Sequence, residues 1–351
     1  MRQQEDRPLI VVLAILAASV LLTGGLALVL TLAREGGDTV NAPVEQTEAD
    51  DAASELRVAF TSDEEGYAAT TVMDADGSDR QQVSGSDQGF CVYPSWSPDG
   101  QRVACLGAAD GNPFWQEGTE IGIWVSAADG SAPVHASPAI SGVLEIPAAW
   151  SPDGTHLAFL GEGQAAEDGE GPNSVVHIAL ADGGVERSIP LPWAAQPHPW
   201  MVHQVDWSPT DDRLLLVNDT PEIGSSVYVL DSQGGELTEV FRGGRTADWS
   251  PDGEEIVVAV DSTQVILIVG ADQEPRGIAQ LTGEFPIDVA WSPDGAHIAV
   301  AATLVRQRDF ATSLHVIALA TGAVTTIVEG DEWLMWPNWS PDGNRLLFTM
   351  G

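Results

Sequence analysis

The chain has 351 residues, with 52 Asp and Glu against 14 Arg, no Lys, and a formal net charge of -38. No basic patch outweighs such a field, so duplex DNA, RNA and anionic membrane surfaces are excluded as partners, and without lysine there is no Schiff-base chemistry. The acidity reads first as a solvated surface, with cation binding or adaptation to salt as the alternative.

In chain order, residues 1–7 form a short tail carrying Arg2 and Arg7. From Pro8 to Leu32 there are 25 residues without a charge, apolar on all sides and long enough to cross a bilayer as a helix. The expectation is a signal-anchor helix over 8–33, with a cleaved signal peptide as the alternative. Arg2, Arg7 and the terminal amine before it, against Arg34 after it, predict a cytoplasmic N-terminus and the bulk of the chain outside the cell membrane. No Cys follows the span, so no lipid anchor is expected there. Residues 34–55 read as a flexible acidic linker.

Residues 56–351 are a repeat region. Trp-Ser-Pro starts at Trp96, Trp150, Trp207, Trp249, Trp291 and Trp339, at spacings of 54, 57, 42, 42 and 48 residues. Five of the six continue as Asp-Gly: Asp99-Gly100, Asp153-Gly154, Asp252-Gly253, Asp294-Gly295 and Asp342-Gly343. Pro presets the first corner of a β-turn and Gly accepts the positive φ that closes it, so each copy is a reversal between two strands. Apolar runs follow each turn, such as Arg102-Val103-Ala104-Cys105 and Arg345-Leu346-Leu347-Phe348, and read as second strands. Third strands such as Ile123-Trp124-Val125 end in a further turn, and a fourth leads to the next Trp. Four strands per unit and six units predict an all-β, six-bladed β-propeller, with seven blades as the alternative. The C-terminal hairpin supplies only two strands, and Arg57-Val58-Ala59-Phe60 already resembles a second strand, so the two ends are expected to share one blade. In the third unit Thr210-Asp211-Asp212 replaces the consensus, and Asp211 is expected to take the glycine conformation.

With Trp96 set opposite Gly100, Cys91 falls opposite Cys105, and these only two cysteines are expected to form a disulfide, which implies an oxidising compartment. Asp74-Ala75-Asp76-Gly77-Ser78-Asp79 has carboxylates at alternate positions that suit calcium, but position 85 is Gly where a helix-loop-helix site needs Glu, so it reads as an ordinary turn. No metal and no cofactor are expected.

The alternation of Trp-Ser-Pro-Asp-Gly, an apolar strand and a third strand ending in Asp-Ala-Asp-Gly resembles the TolB-type propeller repeat over about residues 56 to 351. The resemblance implies a six-bladed ring that binds other proteins, gates a peptidase or scaffolds a glycan lyase. Neither the small α/β domain that precedes the propeller in TolB itself nor a Gly-x-Ser-x-Gly elbow is read here, so neither TolB's role nor peptidase activity is carried over.

In such a ring the variable connections emerge opposite the Trp-Ser-Pro turns, and binding residues concentrate on them. They carry Trp115, Trp193, Trp200, His203, Arg306, Trp333 and Trp336, the expected ligand-binding face for a protein, peptide or cell-wall glycan. No catalytic residue is assigned. A glycan-active enzyme using Glu117 or Asp331 with His203 or Arg306 is the second reading, and a sensor or assembly ectodomain the third.

Overall fold

The computed structural model describes residues 27–31, 57–62, 69–74, 79, 81–83, 91–108, 121–137, 146–165, 172–192, 202–220, 224–260, 263–270, 274–305, 310–330, 334–341, 343 and 345–350. All regular structure among them is β, in seven antiparallel sheets. Sheet I holds Arg57–Ser62, Ala69–Asp74 and Gln81–Val83. Sheet II runs through Cys91–Trp96, Arg102–Ala108, Ile121–Ala127 and Val134–His135. Sheet III is built from Ala149–Trp150, His156–Ala165, Pro172–Leu180 and Val185–Pro190, and sheet IV from Val202–Trp207, Arg213–Thr220, Gly224–Asp231 and Leu237–Arg242. Sheet V comprises Thr246–Trp249, Glu255–Val260, Val265–Gly270 and Arg276–Gln280; sheet VI comprises Glu284–Trp291, His297–Val305, Phe310–Ala318 and Ala323–Gly330. Sheet VII pairs Leu334–Trp339 with Arg345–Met350, which then pairs with Ala27–Thr31.

Each sheet packs face to face on the next through alternating apolar side chains. Leu106, Ile123, Leu157 and Phe159 fill the space between sheets II and III, and Leu160, Val176, Leu214 and Leu216 that between III and IV. Val217, Val227 and Val258 lie between IV and V, Val257, Ile266, Ile298 and Val300 between V and VI. The core is thus a series of inter-sheet layers, which is why the second and third strands read as apolar runs.

Serine and aspartate close four of the repeat turns together. Ser97, Ser151, Ser250 and Ser292 donate from Oγ to the Asp two residues on, at 2.5 to 2.7 Å, and that carboxylate accepts the amide N–H two residues further. These bonds hold the Asp99, Asp153 and Asp252 carboxyls below the usual range, Asp153 at about 2. Gly100, Gly154, Gly253, Gly295 and Gly343 sit at φ 67 to 71, as the turn requires.

Four expectations need correction. The turn is wider than a pairing of Trp96 with Gly100 allows: the Ser97 N–H reaches the Arg102 carbonyl, and Trp96 pairs with Val103. A bulge between Val92 and Ser95 recovers one residue, so Cys91 pairs with Gly107 and meets Cys105 diagonally. The disulfide still forms, with a Cα separation of 5.5 Å. In the third unit the Ser208 N–H still reaches the Arg213 carbonyl, but Asp211 does not take the left-handed backbone; its carboxylate accepts from the Arg213 N–H and Nε instead. The chain ends do not share a blade. Arg57–Ser62 is an edge strand of sheet I and Arg345–Met350 the central strand of sheet VII, and no pairing joins the two. Lastly, residues 27–31, expected as the end of the apolar helix, form an Ala-Leu-Val-Leu-Thr strand on the open edge of Arg345–Met350. Residues 8–26 and the linker lie outside the described residues, among which no helix is long and apolar enough to cross a membrane.

Candidate functional site on the first strands

The first strands of successive sheets adjoin one another. Counting back from each repeat Trp, positions one and three residues earlier share a face, because side chains alternate along a strand. One residue before lie Ser95, Ala149, Asp206, Asp248, Ala290 and Asn338; three before lie Tyr93, Pro147, Gln204, Thr246, Asp288 and Trp336. The polar members lace each sheet to the next. Ser95 Oγ donates to the Ala148 carbonyl. Gln204 Nε2 donates to the Ala247 carbonyl at 2.6 Å while its Oε1 accepts the Ala247 N–H, so one amide side chain imitates a β-bridge between sheets IV and V. Asp248 accepts the Trp291 N–H at 2.7 Å, and Asp288 accepts Thr246 Oγ1 at 3.1 Å and the Trp336 N–H.

Asp206, Asp248 and Asp288 are the site's electrostatic centre. All three are half-buried, and loss of water around them is the main cause that raises their carboxyls to about 6, 8 and 7. Repulsion from Asp206 and Asp288 adds to the rise at Asp248, while the N–H groups of Trp291 and Trp249 oppose it. At neutral pH Asp248 therefore mainly keeps its proton, Asp288 is about half protonated and Asp206 is mostly ionised, so the group both donates and accepts hydrogen bonds. Among the described residues no group of three or more His, Cys, Asp or Glu has a geometry that holds a metal ion.

Above this cluster, on the side away from the Trp-Ser-Pro turn, Trp336 is 45% exposed with φ 51. Tyr93, at the matching position of sheet II, has φ 53, and both residues precede a proline at a bulge. Left-handed backbone at a bulky residue is strained and persists only where the surroundings impose it. His203 sits at the start of the first strand of sheet IV, its Nε2 donating to the Arg245 carbonyl at 2.9 Å and its Nδ1 3.7 Å from Asp219. Of the residues expected on the ligand-binding face, His203 and Trp336 are described; Trp115, Trp193, Trp200, Arg306 and Trp333, with Glu117 and Asp331 of the enzyme reading, lie outside the described residues. Gln204, Asp206, Thr246, Asp248 and Asp288 were not expected, although aligning the six Trp and reading one and three positions back shows them.

A second polar group lies on sheet VI. His315 Nε2 is 2.6 Å from Glu284 and 2.9 Å from Ser313 Oγ, which also donates to Glu284. His315 Nδ1 meets Thr326. Ser313 is 2% exposed and His315 is buried, and the bonds of the group tie three strands of sheet VI together.

Among solved structures, the TolB protein of Agrobacterium tumefaciens aligns with a TM-score of 0.50 at 21% identity, over 78% of this chain and 93% of that one. The fold is a TolB-like β-propeller. An oligogalacturonate lyase of Vibrio parahaemolyticus aligns at a TM-score of 0.58 and 10% identity, over 84% of this chain and 86% of that one. Puromycin hydrolase gives 0.55 at 17% identity, over 79% of this chain and 46% of that enzyme. An uncharacterized peptidase of Bacillus subtilis strain 168, YuxL, is 23% identical over 204 residues, or 57% of this chain, and the match spans only 28% of that relative. No family model matches. In a propeller the first strand of each blade is the innermost, so Asp206, Asp248 and Asp288 stand toward the axis and Trp336 at one of its mouths.

Proposed function

We propose that this protein is a membrane-anchored binding module whose propeller lies on the extracytoplasmic side and engages a protein, peptide or cell-wall glycan at the mouth that carries Trp336. The observation that carries this reading is Trp336: a large exposed aromatic held in strained backbone, its N–H tied to Asp288 one blade away. An indole fixed in advance loses little entropy on binding, and the Asp288 carboxyl, about half protonated at neutral pH, offers both a donor and an acceptor to hydroxyls or peptide groups. The Cys91–Cys105 disulfide supports an oxidising compartment. The anchor is read as residues 8–26, which at 1.5 Å per residue span about 28 Å. The same reading takes the ring to hold seven members, with three-stranded sheets I and VII side by side where it closes.

A glycan-active enzyme is the second reading, favoured by three carboxyls that titrate near neutrality, a range suited to general acid-base work. Titration of the protein with cell-wall glycans, oligosaccharides and peptides, followed by tryptophan fluorescence with products assayed in the same samples, separates the two. Saturable binding that Trp336→Ala weakens by about tenfold or more supports the module. Product formation lost in Asp248→Asn supports the enzyme, and binding indifferent to Trp336 refutes the proposed mouth.

A further inference from the structure

The opposite face of the propeller holds a different recurrence. In four blades the second strand opens with a cationic or imidazole side chain that meets the repeat Trp of the next blade. Arg102 lies over Trp150 and Arg213 over Trp249, each with its guanidinium carbon 4.9 Å from the ring centre. Each also donates through Nη2 to the carbonyl of the next turn's glycine, Gly154 and Gly253. His156 meets Trp207 with ring centres 6.5 Å apart, and His297 meets Trp339 at 6.1 Å. Between blades V and VI the series breaks. Glu255 occupies this position, brings no cation to Trp291, and pairs with Arg276 at 3.2 Å. A cleft of about 480 Å³ opens there, lined by Trp291, Glu255, Arg276, Asp252, Asp294 and Gly295 among others. A second cleft, of about 390 Å³, lies between blades III and IV, where His156 stands in place of arginine.

We propose that the cleft between blades V and VI is a seat for an arginine side chain of a partner protein. The molecule shows twice what fills the equivalent space: a guanidinium stacked on the Trp and donating to the glycine carbonyl. A guanidinium entering from outside repeats that geometry on Trp291 and Gly295. Glu255 offers a carboxylate that an incoming fork of N–H donors shares with Arg276, and Asp252 and Asp294, each bonded within its own turn, add negative charge at the rim. The chain's net charge of -38 draws a basic segment toward this face. The seat is independent of the Trp336 mouth and stands or falls without it.

The test uses the full chain in detergent and a fluorescent Gly-Ser-Arg-Ser-Gly peptide carrying a photoreactive group, with a citrulline version as the uncharged isostere. The arginine peptide binds, the citrulline peptide binds about tenfold more weakly or not at all, and cross-links map to residues 291–295. Glu255→Arg fills the seat from within and weakens the peptide by about tenfold. Glu236→Arg makes the same charge change at an exposed site and alters binding by less than about threefold, in keeping with screened surface charge. Glu255→Gln, which changes one atom, weakens the peptide in the same direction. Equal binding of the two peptides, undiminished binding to both Glu255 variants, or cross-links elsewhere each overturn the proposal.

Discussion

Asp248 sets the pH behaviour of the inner strands. Its folded-state carboxyl titrates at about 8, above its ordinary value of 3.8, so the folded state favours the protonated form and stability is lost as pH rises between those values. The turn aspartates act oppositely: Asp153, held at about 2, contributes stability above pH 4 that is lost as pH falls toward 2. Maximal stability is therefore expected on the acid side of neutrality. Asp248→Asn, at about 1.4 kcal/mol per pKa unit with a discount for partial solvation, gains about 1 to 3 kcal/mol at pH 8 relative to pH 5. Chemical denaturation of both proteins at the two pH values checks this, and parallel pH profiles would contradict it. Asp206 and Asp248 were legible in the sequence, since each directly precedes a repeat Trp. Asp288 was harder to find because it lies three residues before its Trp, next to the bulge after Pro286. The repeat consensus describes turn chemistry, and the axis-facing positions differ from blade to blade, so no motif announces them.

At the scale of the element, the turn glycines separate backbone demand from packing. A Cβ at Gly100 meets nothing within 4 Å, so Gly100→Ala costs only the left-handed backbone, about 1 to 2 kcal/mol. At Gly253 the Cβ falls 2.2 Å from Thr210 Oγ1, which reaches across from blade IV to donate to the Asp252 carbonyl. Gly253→Ala is expected to cost about 2 kcal/mol more than Gly100→Ala, and Thr210→Ser in that background to recover little, because the oxygen remains. Urea titrations of the three variants decide it; equal losses at both glycines would show that the inter-blade contact is loose. Thr210 explains the aberrant third turn, whose residue at the Asp position serves the neighbouring blade instead of its own hairpin. The hairpins and their order were legible because Ser-Pro-Asp-Gly encodes a local reversal. The register was not, because the width of the turn depends on the Ser N–H reaching a carbonyl five residues on, and the bulge at Tyr93-Pro94 is a tertiary demand. For the disulfide, which closes a loop with a sequence separation of 14, replacement of both cysteines by Ser is expected to cost about 3 kcal/mol, read as a lower melting temperature.

For the whole molecule, 52 acidic groups against 14 arginines leave the folded state under self-repulsion that salt relieves. Raising sodium chloride from about 10 mM to 1 M shortens the screening length from about 30 to 3 Å and is expected to raise the melting temperature by several degrees. A salt-independent midpoint in calorimetry would show that the charges are already dispersed beyond each other's reach. The repeat count gave six units with seven blades as the alternative, and the third strand of sheet VII was not read because Ala27–Thr31 lies in a stretch whose hydrophobicity signals a span more strongly than a strand. The lacing of the inner strands has a consequence for descent. Gln204 grips the backbone of the next blade, Asp248 the backbone of the one after it, and Asp288 that of the last, each joining only immediate neighbours. A gene that duplicates or deletes one 42-residue unit, the spacing between Trp207, Trp249 and Trp291, preserves the kind of join at both new borders. Chains of this design can therefore lengthen or shorten by whole units through recombination, with selection acting chiefly on how the two terminal sheets meet.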